Sequence, residues 1–115
     1  MNQVQLEVQH SGRWTFLTNH THVLVCLWHD PRQRLRDVAD RIGISERAVQ
    51  GMVRDLVDAG ILRRTREGRG NVYSICLDAR LRHPLESHAT VGELLAGVID
   101  SARPLYESTE ARTGR

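Results

Sequence analysis

The sequence predicts a mainly α-helical domain with one β-hairpin, and three observations support this fold class. Apolar residues recur at helical spacing through residues 20–58. A glycine followed two residues later by a serine separates the second and third apolar stretches, where one helix would end and the next begin. Two strand-like runs joined by a glycine-rich turn come next. At 115 residues, the chain has the length of a single domain with one modest core.

The first helix is expected to begin at Thr18 or Asn19 and to end at Asp30-Pro31, because proline disfavours helix in the residue before it. Its apolar positions have helical spacing and should be buried; they are Val23, Leu24, Leu27 and Trp28.

The second and third helices are the most informative part of the sequence. The first of the pair has an apolar stripe that consists of Leu35, Val38, Ala39 and Ile42. Gly43 tolerates the positive φ that ends a helix, and Ser45 can cap the following one. The inward stripe of the third helix is Val49, Met52, Val53 and Leu56. Ala39 is small enough to let the two helices cross steeply, so this pair is predicted to be a helix-turn-helix from Leu35 to about Ala59.

Residues 61–66 and 71–77 read as two strands, joined by the turn Glu67-Gly68-Arg69-Gly70. Tyr73, Ile75 and Leu77 share one face of the second strand and are expected to point into the core. A hairpin directly after a helix-turn-helix is the wing of a winged helix-turn-helix, which is the predicted fold.

The predicted organisation has five parts. Residues 1–17 form an N-terminal arm with a possible short strand through Val4, Leu6 and Val8, and residues 18–78 form the winged helix-turn-helix. A linker over 79–89 is followed by a C-terminal helix over 90–106, which starts with the capping-box pattern of Thr90 and Glu93. Residues 107–115 are polar and are expected to be disordered.

The inward residues of 35–54, together with Ala59-Gly60-Ile61-Leu62 and the arginine-rich hairpin, resemble the MarR-like winged helix-turn-helix of bacterial transcriptional regulators. The resemblance covers roughly residues 20–78. It implies a DNA-binding regulator without a cofactor. The chain departs from that family in being short, and a strand-like N-terminus and one C-terminal helix stand where the long dimerisation arms are usual.

Residues of the third helix that the core does not use are candidates for contact with double-stranded DNA. Arg47 and Gln50 are assigned to base readout, because arginine pairs with guanine and glutamine with adenine. Gly51 would allow close approach of the backbone, and Ser45 and Arg54 would hold phosphates.

The wing adds Arg64, Arg66, Arg69 and Asn71 as contacts to the backbone or the minor groove, and Arg34 and Arg36 are further phosphate candidates. The charge distribution agrees with this assignment. Residues 32–82 contain twelve arginines and seven acidic residues, whereas the rest of the chain contains four and seven.

A homodimer on a palindromic operator is expected, because one helix reads only a few base pairs. The candidate dimer interface is the apolar face of the C-terminal helix, which consists of Val91, Leu94, Leu95, Val98 and Ile99. Trp14, Phe16 and Trp28 are expected either in the core or at this interface.

The chain has no catalytic motif, no metal-ligand spacing and no apolar stretch long enough for a membrane helix, so a cytoplasmic regulator is predicted rather than an enzyme. Repression is favoured over activation. Two alternatives stay open. One is a winged-helix module that binds proteins, and the other is a sensor that responds to a small-molecule effector, to a metal or to oxidation of Cys26 or Cys76.

Overall fold

The computed structural model describes residues 14–99, so the predicted strand through Val4, Leu6 and Val8 and the predicted tail over 107–115 lie outside the described residues. The elements are α1 (Asn19–His29), α2 (Leu35–Ile42), α3 (Glu46–Asp58), β1 (Leu62–Glu67), β2 (Gly70–Ile75) and α4 (Val91–Ala96). The order is that of a winged helix-turn-helix, and the predicted fold class is confirmed.

One apolar core joins the three larger helices to the base of the hairpin. Val38, Ala39 and Val49 are among its buried members, as the inward stripes predict. Ile42, Ile44 and Met52 pack against the same core and are partly buried. Each large apolar side chain in this core contributes roughly 1.5–3 kcal/mol by leaving water, so the shared core holds α2 and α3 together.

The turn between α2 and α3 is formed as the sequence predicts. Gly43 has φ of 90°, and the N–H groups of Gly43 and Ile44 both donate to the carbonyl of Ala39, at 2.8 and 3.1 Å. The Ser45 hydroxyl accepts from the Ala48 N–H at 3.0 Å and so caps α3. These contacts satisfy the end of one helix and the start of the next within three residues.

The hairpin is antiparallel, and Glu67 pairs with Gly70, which leaves Gly68 and Arg69 as a two-residue loop. Gly68 has φ of 60°, and no residue other than glycine has a positive φ in the described chain, so the loop is of type II′. The Tyr73 N–H donates to the Pro31 carbonyl at 2.9 Å. This bond attaches the hairpin to the connection between α1 and α2.

The prediction that one face of the second strand points into the core is confirmed for Tyr73, which is buried, and for Ile75, which packs against the core. It is wrong for Leu77, which is 39% exposed. The strand ends at Ile75, and the chain turns away before Leu77, so the alternation of faces no longer applies.

The segment after the hairpin contains regular backbone contacts. Within the described residues the helix after it ends earlier than the predicted range 90–106, of which residues 100–106 lie outside the described part of the chain. An isolated bridge joins Arg80 to Thr90, and the Val91 N–H donates to the Ala79 carbonyl at 2.8 Å. The capping box of Thr90 and Glu93 is present as predicted, but α4 ends at Ala96 and Gly97 caps it.

Candidate nucleic-acid interface

One concave surface lies where the start of α2, the outward face of α3 and the hairpin meet. We call it the basic surface, and its lining residues are Arg32, Gln33, Arg34, Leu35, Glu46, Gln50, Arg54, Arg64, Arg69, Gly70, Asn71 and Tyr73. Five of these residues are arginines, and Glu46 is the one carboxylate among them. Such a surface attracts a polyanion.

Six of the eleven predicted DNA-contact residues line the basic surface: Arg34, Gln50, Arg54, Arg64, Arg69 and Asn71. The other five do not line it. Ser45, Arg36 and Arg47 are exposed on or beside the two helices, and Gly51 is half-buried on α3. Arg66 is exposed on the hairpin, where its Nε donates to the Gly68 carbonyl at 3.4 Å.

Packing of α3 determines which of its side chains face outward. Val49, Val53 and Leu56 are buried along one side of the helix. Because residues three and four apart share a helix face, Gln50 and Arg54 lie together on the exposed side. The Ser45 oxygen is occupied as an acceptor by the helix cap, and its hydroxyl hydrogen is still available to an oxygen ligand.

The register of the hairpin determines which arginines face the helices. Leu62, at the base of β1, is buried. Since side chains alternate along a strand, Arg64 and Arg66 share the face of Leu62, whereas Arg63 is on the opposite face. Their cross-strand partners are Tyr73 and Asn71. The hairpin therefore presents two of its predicted arginines on the same face as its core residues.

Arg32 belongs to the basic surface but was not predicted. Its Nη1 lies 2.8 Å from Oε1 of Glu67, so it neutralises a carboxylate at the end of β1. Both side chains are more than half exposed, and such a pair is worth at most about 1 kcal/mol. The sequence contains no signal for this contact, because only the fold brings the α1–α2 connection to the hairpin.

A second concave surface, which we call the apolar groove, lies between α1, the end of α3 and α4. Its floor includes Leu24, Leu56, Ile61, Leu81, Val91 and Leu94, and its charged residues are Asp55, Asp58, Glu86 and Arg82. His20 also lines it, and His20 Nε2 lies 2.9 Å from Oδ2 of Asp55. Three carboxylates against one arginine make this groove unsuited to a polyanion.

The residues of the predicted dimer face differ in how deeply they are buried. Val91 and Leu95 are each 1% exposed and belong to the core of the chain itself. Leu94 and Ile99 are partly buried, and Val98 is 41% exposed. Trp14 and Phe16 are not core residues, since they are 72% and 92% exposed, and Trp28 lies at the surface with 36%.

The two cysteines are both free thiols. Cys26 is buried, and this burial raises the pKa of its thiol, whereas the charge of Arg41 lowers it to a smaller extent. A raised pKa keeps the thiol protonated and slow to oxidise. Cys76 is partly buried.

Within residues 14–99 no group of three or more histidine, cysteine, aspartate or glutamate residues is arranged to hold a metal ion. None of the helices described is long and apolar enough to cross a membrane.

In a comparison with protein families, residues 18–68 match the model of the MarR family. The matched segment begins at the residue before α1 and ends in the loop of the hairpin, so it contains the helix-turn-helix and the first strand of the wing. Comparisons with curated proteins and with solved structures gave no significant match.

Proposed function

We propose that this chain is a MarR-like winged-helix transcriptional regulator that binds double-stranded DNA sequence-specifically through the basic surface. The match of residues 18–68 to the MarR family model and the lining of the basic surface support this proposal. The observation that supports this most is the convergence of five arginines from three separate elements on one concavity that borders α3. Neutralisation of phosphates by arginine supplies a large share of the affinity of protein–DNA complexes.

Residues that line the basic surface and exposed residues beside it have different roles in this proposal. The N-terminal half of α3 enters the major groove, where Arg47 and Gln50 read base edges and Gly51 allows close approach. Phosphates are held by the exposed polar groups around the helix pair, namely Arg34, Arg36, Ser45 and Arg54. Arg64, Arg66, Arg69 and Asn71 extend the contact along the backbone or into the minor groove.

The exposed side of α3 distinguishes this proposal from a winged helix that binds proteins. A protein-binding version requires apolar side chains on that side. In this chain the exposed side chains there are Glu46, Arg47, Gln50 and Arg54. A charged face of this kind suits a nucleic acid better than an apolar partner.

The regulator is proposed to act as a cytoplasmic homodimer, and as a repressor that occludes its operator. Two copies double the contact and require half-sites about 34 Å apart, or a multiple of that distance. Leu94 and Val98 are the part of the predicted interface that is left for a second copy, because Val91 and Leu95 are in the core and Ile99 packs against it. Sedimentation at micromolar concentration tests this part, and a monomer would contradict it.

Selection of binding sites from a random duplex pool, followed by footprinting, tests DNA recognition and symmetry together. A palindromic consensus with two protected half-sites is expected. Arg47→Ala and Gln50→Ala should each cost roughly 1–3 kcal/mol on the selected site and relax the preference at one or two positions. Arg82→Ala is the matched control, because Arg82 is exposed in the apolar groove, and it should leave the affinity unchanged. If neither helix variant affects binding, α3 is not the reading element.

A further inference from the structure

Glu46 is an unexpected residue in the basic surface. It is the one carboxylate among the twelve lining residues, and it repels the phosphates that the five arginines attract. Among residues 14–99 the ion pairs are His20 with Asp55 and Arg32 with Glu67, so no arginine neutralises Glu46. Glu67, at the end of the neighbouring strand, is neutralised by Arg32. Glu46 therefore brings an uncompensated negative charge to the basic surface.

Glu46 is also in a position to orient Gln50. It is the first residue of α3, and Gln50 follows one helical turn later on the same side. The Gln50 Nε2 donates to Oε2 of Glu46 at 3.4 Å. A carboxylate can only accept, so the amide must turn its NH₂ group toward Glu46 and its carbonyl oxygen away.

This arrangement leaves a definite set of groups for base recognition. Gln50 retains one N–H and its carbonyl oxygen, the donor and acceptor that match N7 and the N6 amino group of adenine. Glu46 retains acceptor positions only. In the major groove the donors are the exocyclic amino groups of cytosine and adenine, whereas guanine presents acceptors at O6 and N7.

We propose that Glu46 is a specificity-determining residue, which selects a cytosine beside the adenine read by Gln50 and rejects guanine at that position. This inference rests on the proposed function, since it concerns the same surface. A cytosine amino group would donate a hydrogen bond to the carboxylate, and this bond would offset the repulsion between the carboxylate and nearby phosphates. A guanine would place acceptor atoms against it, which adds to that repulsion.

A purely structural role for Glu46 gives a different expectation. A negative charge in the first turn interacts favourably with the helix dipole, so the loss of Glu46 would lower the stability of α3 without altering base preference. Discrimination between bases is therefore the measurement that separates the two roles.

The experiment compares the wild-type chain, Glu46→Ala and Glu46→Gln on the selected operator and on duplexes in which each base pair is changed in turn. We expect Glu46→Ala to reduce the preference for cytosine over guanine at one position per half-site by about tenfold. The same variant should bind unrelated duplex DNA more tightly, because a repulsive charge is lost. Glu46→Gln retains the size of the side chain and should shift the preference at that position toward adenine.

Asp40→Ala is the matched control, since it removes the same charge from an exposed site on α2 that does not line the basic surface. It should leave discrimination unchanged at every position. Thermal unfolding by circular dichroism checks that each variant is folded. If the wild type is sequence-specific and both folded Glu46 variants discriminate between bases as it does, Glu46 does not determine specificity. The proposed function would still stand. A wild type that binds all duplexes equally would overturn the proposed function, and this inference with it.

Discussion

Helix α3 contributes to both concave surfaces, and the two differ in charge although they share this helix. Gln50 and Arg54 from its outer side line the basic surface, whereas Asp55 and Asp58 line the apolar groove. The basic surface has a polar lining drawn from helix, connection and hairpin. The groove has a floor that includes buried core residues such as Leu24 and Leu56. A single amphipathic helix thus separates an arginine-rich surface from a groove that carries three carboxylates.

The largest expected effect comes from charge reversal on one surface only. The double variant Arg54→Glu with Arg64→Glu should weaken binding to the selected operator by at least about a hundredfold, because two charge-assisted contacts become repulsive. Fluorescence anisotropy on a labelled duplex measures this. Arg82→Glu in the apolar groove should change the affinity by less than about twofold. Arg82→Glu changes the net charge by half as much as the double variant does. A loss of about tenfold or more in Arg82→Glu would therefore mean that net charge, and not the basic surface, determines binding.

The caps of α3 and α4 can be removed one at a time, and the effects on stability and on DNA binding can then be compared. Ser45→Ala and Thr90→Ala each remove a hydroxyl that accepts from a backbone N–H, and each should lower the free energy of unfolding by about 1 kcal/mol. Urea unfolding measures both. Only Ser45→Ala should also weaken DNA binding, because Ser45 precedes the reading helix. An equal loss of DNA affinity in Thr90→Ala would count against this distinction.

Gly51 and Gly92 give opposite expectations for the same substitution. A Cβ at Gly51 meets no atom within 4 Å, so Gly51→Ala should stabilise α3 by about 0.5–1 kcal/mol while weakening operator binding, where the added methyl group obstructs close approach. A Cβ at Gly92 would lie 3.1 Å from both Cβ and the carbonyl oxygen of Leu77, so Gly92→Ala should destabilise the fold. Unfolding curves and anisotropy titrations check both variants. If Gly51→Ala leaves the affinity for the operator unchanged, Gly51 is not a point of close approach to DNA.

The smallest expected effect belongs to the hairpin loop. Arg69→Ala should weaken binding to all duplexes alike, by about threefold, and lower the slope of log K against log salt concentration by about 1. Titrations at several salt concentrations on specific and unrelated duplexes measure this. A loss confined to the selected operator would indicate that Arg69 reads bases.

Local signals in the sequence were sufficient for the helix-turn-helix. Gly43, Ser45 and Ala39 act through backbone geometry, caps and side-chain size, each of which depends on a few neighbouring residues. The capping box of Thr90 and Glu93 was found for the same reason. The positive φ of Gly43, the caps at Ser45 and Thr90 and the burial of Ala39 are confirmed.

Features that depend on distant contacts were missed. The helical pattern of Val91, Leu94, Leu95, Val98 and Ile99 predicted a long helix with an interface, but α4 is short and buries Val91 and Leu95 in the core. Periodicity alone cannot tell whether an apolar stripe faces its own core or another chain. Arg32 was missed likewise, because its partner Glu67 is brought near it only by the fold.

A map of backbone amide chemical shifts during titration with the selected duplex tests most directly whether the basic surface binds DNA. We expect the largest changes in residues 45–54 and 64–71 and smaller changes at residues 34–36, whereas residues 81–86 of the apolar groove should stay unchanged. If the chemical shifts change most along the apolar groove, and the amides of Gln50 and Arg54 are unaffected at saturation, DNA does not bind through the basic surface.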